Sequence, residues 1–329
     1  MIRLIEVRIP NQIKLGVLLP TRGLLLKEAI PTDAGLVIRL AQRAEEAGLD
    51  SVWVGDSLIA KPRLEPLTTL AAVAAVTERV RLGTAVLLMA LRHPVLLAQS
   101  MATVDLISRG RLIIAAGAGG AFNQEQQQEW KVAGVQASRR ASRLEEMVQI
   151  LKGLGSGEPF DFQGRHFDLN SVTMKPRPVQ ANGIPILLAC HWRGPAWEAQ
   201  VERAARLADG IISISDTPAE YSELVQRVRA QRAELGRESA AWESAVYLTV
   251  NMEQGRDRAQ AEAERFLLGY YGSNIWGDRW GPFGDPARVK DRLLAYAEAG
   301  AQTLIVRFAS YEPERQLDTF LEMVAPFIC

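Results

Sequence analysis

Cysteine is nearly absent from this 329-residue chain, and its two copies, Cys190 and Cys329, stand far apart. That excludes a disulfide framework and fits a reducing cytoplasm. Histidine is almost as scarce. His93, His166 and His191 are too spread out for a metal-ligand cluster, so no metal is expected. Charge of either sign is not in excess, because Lys+Arg and Asp+Glu both number 38. Without a net basic field, neither nucleic acid nor an anionic membrane is an expected partner, and a small molecule is the better ligand. No apolar run reaches the roughly 18 residues a membrane span needs. The opening MIRLIEVRIPNQI alternates charged with apolar residues, unlike the apolar core of a signal peptide. The G-x-S-x-G elbow and the G-x-x-x-x-G-K-[ST] phosphate loop are both missing.

What is present is an ordinary globular composition, 48% hydrophobic and 23% charged, with ample material for a core. Eight short apolar runs, at 14–20, 51–55, 81–88, 111–117, 184–189, 210–215, 245–250 and 302–308, alternate with amphipathic stretches. Near-continuous Val/Ile/Leu runs of this length indicate parallel strands buried on both faces. Helical periodicity marks 33–48, 68–79, 94–108, 142–153, 195–208, 219–235, 257–271 and 286–300. The joints "EEAGLDSVWV" and "AEAGAQTLIV" each place a Gly where a helix turns into a buried strand. Repeated βα units of this number predict one α/β domain over 1–329, a (β/α)8 barrel. An open doubly wound sheet is the alternative. The alternation breaks twice, giving insertions after strand 4 and before the last strand. Residues 155–183 hold a hairpin signal, "PFDFQGRHFDL", and residues 272–284 are rich in Gly and Trp.

A barrel carries its site at the C-terminal strand ends. Those ends here are glycine-rich, aromatic and poor in acids and bases, which suits chemistry carried by a bound flat cofactor. In "LLACHWRGPAW" a strand candidate ends at Cys190-His191-Trp192-Arg193, and Gly194-Pro195 opens a helix. A helix start offers unpaired N–H groups and a positive dipole end, so this joint is a candidate phosphate seat. "GAGGAF" follows another strand, but its spacing and the lack of a following acidic residue argue against a dinucleotide fingerprint.

Over nearly its whole length the chain resembles the luciferase-like flavin- and deazaflavin-dependent oxidoreductases. The resemblance rests on "AQRAEEAGLDSVWVGDS", "EPLTTLAAVAAVTERVRLGTAVLL", "RHPVLLAQSMATVDLISRGRLIIAAGAG", "FDFQGRHFDL" with "KPRPVQ", "RLADGIIS" and "GDPARVKDRLLAYAEAGAQTLIVRF". It implies a barrel with coenzyme F420, or alternatively FMN, at its mouth. It also implies a non-prolyl cis peptide at Ala85-Val86 under the ring, and Asp56 and Asn123 near it. The alternatives for those two residues are turn and helix capping. Arg193, Gly194, Pro195 and Ala196 match the family's phosphate loop.

Two departures stand out. Ser57 occupies a place where many relatives have histidine, and Gly120 a place where some have glutamate. The proton donor is therefore expected to be His191 or Ser57. Trp192, Trp276 and Trp280 are expected in the substrate pocket, the last two on a lid over the mouth. The expected activity is hydride or electron transfer with a small organic substrate. A homodimer is expected, and a flavin reductase as partner if the cofactor is FMN. A non-catalytic flavin-binding or partner subunit is the rival reading, and an aldolase- or isomerase-type phosphate barrel a third.

Overall fold

The computed structural model describes residues 13–28, 30–273 and 277–328. Among these residues eleven strands are formed: β1 (Lys14–Leu18), β2 (Ser51–Val54), β3 (Arg81–Leu87), β4 (Leu112–Ala116), β5 (Phe160–Gln163), β6 (Asp168–Val172), β7 (Ile186–Ala189), β8 (Gly210–Ile214), β9 (Glu243–Met252), β10 (Phe283–Gly284) and β11 (Thr303–Phe308). Eight of them pair in parallel in the order β9-β11-β1-β2-β3-β4-β7-β8, and β8 pairs back onto β9. The barrel is closed, so the open-sheet alternative falls. All eight apolar runs lie on barrel strands. The expected hairpin is the antiparallel β5–β6 pair, with Phe162 opposite Leu169. Elements not expected from the sequence include the short helix Gly23–Lys27 after β1, the helix Pro313–Met323 after the last strand, and β10, which adds to β9 at Asn251 and Met252.

Two apolar layers hold the barrel. An outer layer lies between strands and helices, and a smaller inner one fills the lumen with Leu18, Trp53, Ala85, Ile113, Leu187, Ile212, Tyr247 and Ile305 among others. Trp53 fits this lumen because two glycines make room for its ring: it pairs with Gly83 on β3, and Gly16 on β1 lies against the indole nitrogen. A Cβ at Gly83 would collide with the Trp53 ring, and one at Gly16 would stand 2.7 Å from its Nε1. Those glycines are what close packing around an inward indole requires.

The N-terminal end of the lumen is closed by charge. Arg81 bonds Asp50 at 2.7 Å and Glu243 at 2.8 Å, while Lys14 lies 3.4 Å from Glu243 and Thr303 donates to it at 2.5 Å. Burial alone would push the Glu243 carboxyl up, but Arg81 more than offsets this and holds it below its ordinary range. At this face, two cations meet two carboxylates.

Candidate functional site at the C-terminal mouth

The inner layer ends upward in an apolar floor. Val86, Ala189 and Ile214, at the ends of β3, β7 and β8, pack on the lumen cluster yet stay partly exposed. The Ala85-Val86 peptide is cis, as the resemblance implied. Gly117, at the end of β4, leaves room for Val86, since a Cβ there would stand 2.8 Å from Val86 Cγ2.

One wall of the floor is braced by ion pairing. The buried Asp56 carboxylate accepts from the Leu88 N–H at 2.9 Å and from Arg92 Nη1 and Nη2 at 2.5 and 3.1 Å. Burial opposes the charge on Arg92, but Asp56 more than offsets this and raises its pKa. Asp56 therefore fixes the exit of β3, 32 residues away in sequence, rather than capping the turn that follows it. Ser57 corrects an expectation. Its hydroxyl donates to Glu129 Oε1 at 2.6 Å and accepts from the Lys61 N–H at 2.9 Å. Glu129 also accepts from the N–H groups of Ile59 and Ala60, so Ser57 helps fold the loop after β2 and its proton is committed.

The opposite wall is a network around Asp216, after β8. Its buried carboxylate accepts from His191 Nδ1 at 2.9 Å, Arg193 Nε at 3.0 Å and Ser213 Oγ at 2.5 Å. Arg193 Nη2 also donates to Ser215 Oγ at 2.9 Å. A carboxylate on Nδ1 keeps the proton there and leaves Nε2 as the basic nitrogen, the arrangement of an oriented acid–base histidine. Gly194, at φ 106°, then turns the chain into a 3₁₀ turn, Pro195–Trp197, that leads into the helix Glu198–Leu207. The expected helix thus starts one tight turn late. Pro195 and Ala196 are exposed, and nothing stands within 4 Å of the place a Gly194 Cβ would take.

Three further expectations are revised. Asn123 is exposed and its side chain accepts from the Gln126 N–H at 3.0 Å, capping the helix Gln124–Val132. Trp192 lies in the outer layer beneath Arg227, whose guanidinium carbon is 3.8 Å from the ring, because the β7 exit turns it away from the lumen. Trp280 is buried with Phe266, Tyr270 and Phe283 and stacks on Tyr271 at 5.5 Å. It does reach the mouth, lying over Arg307 at 4.9 Å, but as packed structure. Trp276 lies outside the described residues. The sequence reading also missed Asp216, Arg92 and Glu129 as organisers. The "SISD" at the end of β8 was visible, but the His191 partner of its Asp216 sits 25 residues away in sequence.

The model of the luciferase-like monooxygenase family matches residues 13–277. The F420-dependent glucose-6-phosphate dehydrogenase of Kineococcus radiotolerans is 30% identical over 89% of this chain and 93% of its own. Among solved structures, monooxygenase RslO1 from Streptomyces bottropensis superposes with a TM-score of 0.78 at 23% identity, over 96% of this chain and all of the other. An F420-dependent secondary alcohol dehydrogenase in complex with an F420–acetone adduct gives 0.77 at 19%, over 97% and 99%. These two share the fold. The family match covers most of the chain, the floor strands β3, β7 and β8 among it, and the chain belongs to the luciferase-like monooxygenase family.

Proposed function

We propose that this chain is an oxidoreductase that seats coenzyme F420, with FMN as the alternative, on the floor of Val86, Ala189 and Ile214. That floor carries the reading: a partly exposed apolar surface at the top of a filled lumen suits one face of a flat ring. The donor set fits the rest of such a group. We assign a phosphate to Arg193 and to the exposed turn at Gly194, Pro195 and Ala196, in which the N–H groups of Gly194 and Ala196 would donate and Pro195 would only shape the turn. When bound, F420 supplies hydride transfer, whereas FMN supplies electrons for a monooxygenase reaction and calls for a partner reductase. The similarity to an F420-dependent dehydrogenase over 89% of the chain favours F420.

His191 is the residue we assign to proton transfer. Its Nδ1 is held by Asp216, and Nε2 takes or returns the substrate proton. The name of the relative makes glucose-6-phosphate the first substrate to try, followed by secondary alcohols. His191→Asn should leave F420 affinity intact and reduce turnover about 10²- to 10⁴-fold, the usual worth of general acid–base catalysis. Unchanged turnover in that variant would remove His191 from the chemistry. Absence of turnover in the native protein across a broad panel would favour the non-catalytic subunit.

We further place the protein in the cytoplasm as a homodimer. The exposed Val76, Leu96, Leu106 and Ile107 on the helices Pro66–Val76 and Pro94–Ile107 support pairing. A light-scattering mass near the 36.2 kDa of one chain would refute it. Among the described residues, no helix is long and apolar enough to cross a membrane.

A further inference from the structure

Four cationic side chains gather on the side of the mouth away from Asp216. Arg307 is buried near the C-terminal end of β11, next to last in the run "TLIVRF". It bonds Thr249 Oγ1 at 2.8 and 3.1 Å and the Tyr271 hydroxyl at 2.8 Å. Arg22, Lys61 and Arg63 come from the loops after β1 and β2. Arg22, Arg63 and Arg307 lie 5.2, 5.6 and 4.7 Å from the Tyr270 ring centre, and Lys61 lies 5.7 Å from that of Tyr271. The two rings are 4.7 Å apart, so one small volume holds all four charges. Their hydrogen-bond partners are carbonyls, hydroxyls and phenols. Among the described residues, none of the four pairs with a carboxylate.

The opposite end of the same barrel shows the contrast, since there Arg81 and Lys14 face Asp50 and Glu243. Part of the imbalance has a structural explanation. Arg22 Nε and Lys61 Nζ donate to the carbonyls of Tyr270 and Tyr271, at the C-terminal end of the helix Arg256–Tyr271. A helix end presents only about half a negative charge, far short of four cations. Glu125 contributes to the field at Arg22 and Lys61 from further off. Burial, together with repulsion from Arg22 and Arg63, lowers the Lys61 pKa. Burial pushes the Tyr270 phenol up, but Arg63, Arg307 and Arg22 more than offset this and hold it below its ordinary value. The cluster as it stands is short of negative charge.

The cluster also adjoins the cofactor floor. Gly55 ends β2 with no side chain, and a Cβ there would collide with the Arg63 guanidinium and come within 3.8 Å of the Ala85 carbonyl. The glycine lets Arg63 lie beside the Ala85-Val86 peptide. A cavity of about 20 Å³ adjoins the cluster, lined by Arg22, Tyr270 and Arg307 with apolar residues such as Leu18, Phe266 and Phe308, while Lys61 and Arg63 stand outside it. That volume holds one oxygen-sized atom.

We propose that Arg22, Lys61, Arg63 and Arg307 form the seat for an oxyanion, carboxylate or phosphate, carried by the organic substrate. This rests on the reading that the mouth is a redox site. Bound there, the anion supplies the missing charge and holds the substrate against the floor, with Tyr271 and Trp280 covering it.

Calorimetric titration at low salt with inorganic phosphate and with benzoate, on the protein alone and after F420 is added, tests the seat. Saturable binding of at least one anion is expected, about tenfold or more weaker in Arg63→Gln and in Lys61→Gln, the scale of one charge-assisted hydrogen bond. Arg63→Lys, which keeps the charge, should recover most of the affinity. Binding should also raise the pH at which tyrosinate absorbance appears. Phosphate binding alone points to a phosphorylated substrate, and benzoate binding alone to a carboxylic acid. Failure of both, or binding indifferent to the two Gln variants, overturns the proposal. F420 binding without anion binding would sink the seat and spare the redox reading, and the converse would do the reverse.

Discussion

Replacing Asp216 by Asn should damage stability and chemistry together, and the structure sets the size of the effect. The carboxylate has no exposed surface, and it satisfies His191, Arg193 and Ser213 at once. An amide of the same shape keeps one acceptor oxygen and turns an NH2 group toward the donors on the other side. The Ser213 hydroxyl can rotate and accept from it, so that contact is recovered. The charge-assisted bonds to Arg193 and His191 are weakened or lost, at about 1.5–3 kcal/mol each. Stranding a partner of a buried ion pair costs about 3–5 kcal/mol. The Arg193 side chain is 17% exposed, so water recovers part of this. A net loss of about 2–3 kcal/mol is expected from the lower end of both scales. Urea denaturation at neutral pH reads it as a shifted midpoint with an unchanged slope. Turnover should fall about a hundredfold or more, because His191 loses the group that fixes its tautomer. A stability change under about 1 kcal/mol would mean that the network is looser than its distances imply. Full turnover in a destabilised variant would show that Asp216 serves the fold alone.

Glu129→Ala leaves the Ser57 hydroxyl and the N–H groups of Ile59 and Ala60 without their acceptor. A loss of about 2 kcal/mol and faster proteolysis after β2 should follow, and unchanged proteolysis would contradict that role. Trp280→Ala should lower stability by about 3–5 kcal/mol, because the indole is buried among aromatics; an unchanged melting temperature would restore the mobile-lid expectation. The Arg279 guanidinium, 2.6 and 2.8 Å from the two Glu220 oxygens, outweighs the burial of that carboxyl and, with the Thr217 N–H and hydroxyl, pushes its pKa down to about 2. A depressed acid stabilises the fold above its ordinary 4.5 and loses that contribution as pH falls from 4.5 toward 2. The melting temperatures of native protein and Arg279→Gln should therefore differ at neutral pH and converge in acid, and a gap persisting at low pH would count against the pairing.

The barrel was legible because its signal is local. Buried parallel strands are continuous apolar runs, and joints such as those at Gly48 and Gly300 carry their own glycine. The helix Pro313–Met323 went unread because it follows the last strand, where no further βα joint announces it. The site was legible in part. His191 and Arg193 lie at a strand end and could be named from position alone. What each side chain bonds depends on neighbours distant in sequence, such as Ser57 with Glu129 and His191 with Asp216. Trp192 shows the converse, since one residue's difference at a strand exit decides whether an indole faces the lumen or the helices. Arg307 carried a signal that was passed over: one arginine inside an otherwise apolar strand is expensive to bury and calls for a ligand or a network.

Whether the mouth binds a deazaflavin is read by equilibrium titration of the purified protein with F420, followed by the cofactor's own fluorescence and then by displacement with FMN. Saturation at one F420 per chain is expected, with weaker binding of FMN and an F420 affinity reduced by about 1–3 kcal/mol in Arg193→Ala. If neither cofactor binds, or if F420 binds equally well without Arg193, the assignment of this mouth or of its phosphate end is wrong.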